Sequence, residues 1–155
     1  MTTKRTIGFW ILIIIGILYF CFVGLLGQVM TVINYDFAAS IGMQEPRDVF
    51  GEMGVAVEQG LGVGDMVIHL PFLAIGIVGL WLRKPWGLFS MAGALAIMAY
   101  WPIAYIFYMI FAKGSPGFNV TNITSYVTLL PPFTVYGLWG FWYLYKNRKL
   151  LTTEK

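Results

Sequence analysis

Two side chains in this sequence have types and spacing that suit chemistry. Asp65 and His69 lie four residues apart, and so share one face of any helix that contains them. A carboxylate beside an imidazole favours the charged imidazole and can hold a proton, a cation or a polar head group. Both residues open an apolar run, where ionisable groups are costly and therefore mark candidate sites. A plainer reading stands beside this one: Asp65 is boundary chemistry at a helix start, and His69 bonds a neighbouring helix. Glu58, seven residues before Asp65, joins the same face only if the helix runs unbroken through Gly60-Leu61-Gly62-Val63-Gly64. The glycines predict a flexible hinge there instead. The string is no phosphate loop, because no strand precedes it.

The second set is aromatic. Trp101, Tyr105 and Tyr108 follow one another at i, i+4 and i+7 in a later apolar run. Trp101 and Tyr105 sit too deep in that run for interface anchors, so each needs a partner for its polar hydrogen. They suit the wall of a pocket for a flat apolar ligand, or helix packing. Asp65, His69, Trp101 and Tyr105 form the candidate ligand-binding set. Pro71, Pro102, Pro131 and Pro132 leave the carbonyls of Val67, Met98, Val127 and Thr128 without their helical donors. Thr124, Ser125, Thr128 and Thr134 offer hydroxyls nearby to satisfy backbone groups. Cys21 and His69 are the single Cys and the single His, which excludes an internal disulfide and a protein-only Cys/His zinc site. No hydrolase elbow, kinase set, metalloprotease helix or Walker loop occurs, so neither a catalytic residue nor a cofactor is expected. Nothing suggests nucleic-acid binding.

The elements that position these residues follow from composition. Of 155 residues, 59% are hydrophobic and 11% charged, against about 25% charged in a soluble domain. The expected solvent is the lipid bilayer. A spanning segment takes about 20 apolar residues and must be helical, since lipid offers unpaired backbone groups no partner. The fold class expected is an all-α integral membrane protein, one four-helix domain over 1–155, with transmembrane helices at about 7–33, 64–82, 86–112 and 124–145. The first run is too long for a signal peptide and reads as a retained helix. Arg83-Lys84-Pro85 forces an antiparallel hairpin between the second and third helices. The loop over 34–63 is long, and Glu45-Pro46-Arg47-Asp48 resembles a helix start. It predicts a short amphipathic surface helix at about 46–59, its apolar face made by Phe50, Met53, Val57 and Leu61. The loop after the third helix contains the turn Lys113-Gly114-Ser115-Pro116-Gly117. It also carries the glycosylation patterns Asn119-Val120-Thr121 and Asn122-Ile123-Thr124, both near the expected membrane surface. Gly24 with Gly27, Gly76 with Gly79, Gly93 with Ala96, and Gly137 with Gly140 allow close helix approach.

Charge sets the expected orientation. Lys4, Arg5, Arg83, Lys84, Lys146, Arg148, Lys149 and Lys155 fall on one side of the four helices, leaving only Arg47 and Lys113 on the other. Asp36, Glu45, Asp48, Glu52, Glu58 and Asp65 also fall on that second side. Basic residues stay inside, so both termini are expected in the cytoplasm of a multi-pass cell-membrane protein. Three classes of function fit. The first is a binding or transport module for a small apolar, amphipathic or cationic ligand, which uses the most unusual residues. The second is a non-catalytic accessory subunit, held by its long first loop and glycine faces to a larger membrane protein, whereas a homo-oligomer belongs to the first class, where it would pass a small solute. The third is an intramembrane enzyme acting on a lipid-like substrate with Asp65 and His69 as acid and base.

Overall fold

In the computed structural model, residues 5–120 and 123–152 are described, and their regular structure is all helix, with no strand among them. Helix α1 covers Ile7–Ile33, a short α2 covers Tyr35–Ser40, α3 covers Arg47–Trp81 and α4 covers Pro85–Ala112. Helices α5, Ile123–Leu129, and α6, Pro131–Leu151, complete the chain. Among the described residues, α1, α3 and α4 are long and apolar enough to cross a membrane. Their outward faces carry large apolar side chains, among them Ile14, Leu18, Phe22, Ile75, Phe89 and Phe111.

The bundle is closed by small residues at helix crossings. At Gly79 an added Cβ would meet Gly87 Cα at 2.3 Å, and at Gly137 it would meet Ala99 N at 2.7 Å. The α3–α4 hairpin and the α4–α6 pair therefore touch backbone to backbone. The glycines expected to form docking faces are largely spent inside the chain: Gly24 receives Leu70, Gly93 receives Phe72 and Gly140 receives Leu95. Around these crossings, Phe9, Leu12, Leu73, Met91, Leu95 and Met98 form one core at the end that holds the termini. That end is tied by Arg5, whose guanidinium donates to Trp81 O at 2.7 Å and lies over the Trp81 ring. A second core, with Tyr35, Phe50, Tyr105, Met109 and Phe118, fills the opposite end.

The structure differs from the sequence expectation in three places. Residues 46–59 do not form a separate surface helix. After a break at Gly51, whose φ is 66°, the helix runs through all the later glycines into the predicted second span. The hinge is at Gly51 because only there within α3 is φ positive. Its Cα also packs against Gly117, where an added Cβ would fall 2.6 Å from a carbonyl oxygen. The glycine at 62 serves contact instead of bending, since Gln28 O lies 2.9 Å from where its Cβ would be. The face turned inward is also not the one expected. Phe50, Val55 and Glu58 are buried, whereas Met53 is 78% exposed and Leu61 is exposed too.

The second difference is the 34–63 loop. Asn34 caps α2 by accepting from Phe37 N at 3.1 Å, and α3 begins at Arg47, so the irregular connection shrinks to 41–46. The third lies in the predicted helix at 124–145, which is interrupted at Leu130, directly before Pro131 and Pro132, into α5 and α6. Of the two glycosylation patterns, Thr121 and Asn122 lie outside the described residues, while the Asn119 side chain donates to Asp48 O at 3.2 Å.

Two stretches are wound more widely than an α-helix: Phe20–Val29 in α1 and Asp65–His69 in α3. Such turns are rare and recur at functional sites. The second lies directly before Pro71, where a standard ladder would lose its bond to Val67. The two wide stretches pack on each other, with Leu70 seated on Gly24. Above them the helices part.

Candidate functional site

Where the helices part, at the end away from the termini, they frame an open-sided cavity of about 730 Å³. This is within the range of roughly 300–1,000 Å³ typical of small-molecule sites. Toward the middle of the bundle it is bounded by Trp101 and Phe133. Trp101 is held in place, because its indole N–H donates to the Tyr19 hydroxyl at 3.1 Å and its ring lies against Phe133. Tyr105 and Tyr108 on α4 and Tyr126 on α5 continue the aromatic wall, with Tyr105 packed on both of the others.

The 41–46 connection closes the end. The Gln44 amide donates to Thr31 Oγ1 at 2.9 Å, and Thr31 in turn donates to Gly27 O at 2.9 Å, which ties the connection to α1. Tyr126 donates to the Glu45 carboxylate, and the Tyr35 hydroxyl donates to Glu45 O at 2.9 Å. Arg47 pairs with Asp36 at 2.7 Å outside this roof, so its charge is directed away from the cavity. Tyr100 and Leu61 form exposed parts of the rim on the side of the bundle.

Three carboxylates lie on the wall: Glu45, Glu58 and Asp65. Asp65 Oδ1 is 3.2 Å from His69 Nδ1. Glu58 is 2% exposed; Tyr105 and Gln44 approach its carboxylate, yet Oε1 has no hydrogen-bond partner. Gln28 Oε1, across from Gly62 and one helical turn from Glu58, is a second buried acceptor without a donor. No Lys, Arg or His lines the cavity among the described residues.

Of the sequence candidates, Asp65, Trp101 and Tyr105 meet on this one cavity. His69 does not reach it. It is 1% exposed, set behind Asp65 with its ring 5.3 Å from that of Tyr19, and its Nε2 is unpaired. A histidine so placed orients Asp65 and is shielded from anything held in the cavity. Glu58 was the residue that sequence reasoning set aside. The signal was its seven-residue spacing from Asp65, two turns of an unbroken helix, and the expected hinge discounted it. No group of three or more metal-ligating side chains occurs among the described residues.

Fold and site together define an all-helical chain with an acidic, aromatic cavity at one end of its bundle. No protein-family model matches the sequence, and no curated protein or solved structure matches it either.

Proposed function

We propose that this chain is a multi-pass protein of the cell membrane that acts as a binding or transport module for a small amphipathic molecule, held in the cavity of its outer half. In this reading α1, α3 and α4 cross the bilayer, and α5 with α6 makes a fourth crossing that returns the carboxyl end to the cytoplasm. Three observations support the membrane reading: the apolar length of three helices, their outward apolar side chains, and the bias of basic residues to one end. The binding reading is carried by one observation, the 730 Å³ cavity whose wall includes Glu58, buried and with Oε1 unpaired. Polar groups are buried at a cost unless something pairs with them. A role as a passive scaffold would leave such a cavity unexplained, and the glycine faces that favoured it pack within the chain. An enzymatic reading loses its acid–base pair, since His69 is cut off from the cavity.

Native mass spectrometry of the protein released from its own membranes in mild detergent tests the proposal. A discrete adduct lighter than a membrane lipid is expected, and Ala104→Trp, which builds an indole into the cavity wall, should abolish it while the protein still elutes as the unaltered chain does. A spectrum holding only intact lipids, or an adduct indifferent to Ala104→Trp, would remove the cavity from the function.

A further inference from the structure

The polar chemistry of the cavity is one-sided. No Lys, Arg or His lines the wall beside its three carboxylates among the described residues. Glu45 is engaged by the Tyr126 hydroxyl and Asp65 by His69, while Tyr105 and Gln44 approach the Glu58 carboxylate without bonding its Oε1. Glu58, nearly inaccessible, keeps Oε1 unpaired, and Gln28 Oε1 is unpaired on the same side. With Glu58 ionised, both orphan atoms are acceptors. What completes them must bring hydrogens, and beside a carboxylate a positively charged donor does so best.

The rest of the wall points the same way. Trp101, Tyr105 and Tyr108 present ring systems to the cavity. Aromatic faces attract cations, most strongly where water is excluded. A bare metal ion does not fit this description, because it needs several oxygen ligands drawn together and the volume is that of an organic molecule.

Resting on the binding reading above, we propose that the occupant is a protonated organic amine. Its ammonium N–H groups donate to Glu58 Oε1 and Gln28 Oε1, and its apolar body lies against Trp101 and the tyrosines. A zwitterionic lipid head group supplies an ammonium too, but its phosphate would face the same carboxylates with no base to meet it. The amine is therefore a free one.

Dansylcadaverine tests this directly. It joins a primary ammonium to a fluorophore that accepts energy from tryptophan, and Trp101 stands in the cavity wall. Titrated into the purified full-length protein in mild detergent, it should give saturable energy transfer that Trp101→Phe diminishes. Glu58→Gln should weaken binding about thirtyfold or more, the usual cost of removing one partner of a buried charged hydrogen bond. On the unaltered protein, the neutral N-butyl dansylamide should bind far more weakly, and so should the trimethylated quaternary analogue, which keeps the charge but has no N–H. These two comparisons need no variant, so they stand however Glu58→Gln folds.

Equal affinity for the amine and the neutral analogue would overturn the ammonium assignment and leave the binding reading intact. A quaternary analogue that matches the amine would overturn the donor role of the two orphan acceptors. Displacement of the probe by phosphatidylethanolamine nanodiscs, but not by phosphatidylcholine ones, would overturn the free-amine assignment in favour of a lipid head group. No saturable transfer from any of the three probes would take the binding reading down as well.

Discussion

Tyr35, bonded to Glu45 O behind the cavity's roof, is kept neutral by its surroundings. Burial pushes its phenol above the ordinary tyrosine value, and the Glu58 carboxylate adds to the effect; Arg47 opposes it, while Glu45 and Tyr108 reinforce it. A group whose folded value is raised contributes stability that is intact below the unfolded value and is lost as pH rises through the folded one. For a phenol, that window opens above about pH 10. Tyr35→Phe should cost about 1 kcal/mol at neutral pH, through the lost bond to Glu45 O. Its deficit against the unaltered protein should then shrink as pH climbs past about 10. Thermal melts in detergent across that range read the difference, and parallel curves would show that Tyr35 does not sense its carboxylate neighbours. The residue scale was also where sequence reading was least complete. The spacing of Trp101 and Tyr105 showed one helical face, and both line the cavity. Spacing alone could not tell that His69 would be walled off behind Asp65, because that depends on Tyr19, fifty positions away.

At the scale of elements, long uncharged runs were easily read: the expected 7–33 and 86–112 correspond to Ile7–Ile33 and Pro85–Ala112. The expected 124–145 helix is not one piece, because Pro131 and Pro132 interrupt it before α6. Glycine was misread, because the same residue serves a bend at one position and a close contact at another. Gly51 has a positive φ and no room for a Cβ, whereas Gly60 is helical with nothing within 4 Å of its would-be Cβ. The two should respond oppositely to alanine. Gly51→Ala should cost at least about 1 kcal/mol, from backbone strain and the clash with Gly117 O. Gly60→Ala should leave stability unchanged or raise it by about 0.4–1 kcal/mol, since alanine favours the helix and restricts the unfolded chain. Melting of the two variants side by side decides the matter. A destabilised Gly60→Ala would restore the hinge at 60–64, and with it the separation of Glu58 from Asp65 that the continuous helix removes.

At the scale of the whole molecule, the open question of number is whether α5 and α6 cross the bilayer. An α-helix the length of Pro131–Leu151 rises about 30 Å, enough for a hydrocarbon core. Its carboxyl half, however, carries Lys146, Arg148 and Lys149, and it is less apolar than the other three. Charge favours the fourth crossing. Those basic residues gather at the end that also holds Arg5 and the Arg83–Lys84 turn, while Lys113 is at the opposite end beyond α4. If α6 lay on the outer surface, that basic cluster would be stranded away from the side that favours it. Two single cysteines separate the cases in a Cys21→Ser background: Ser115→Cys, in the exposed turn after α4, and Thr152→Cys, just past α6. A membrane-impermeant maleimide on intact cells should label the first at once and the second only after permeabilisation. Labelling of both from outside would reduce the crossings to three, and the reverse pattern would invert the protein. The reverse pattern would also move the cavity. The roof at 41–46 is at the same end as Ser115, so the first pattern opens the amine site toward the outside of the cell and an inverted one toward the cytoplasm.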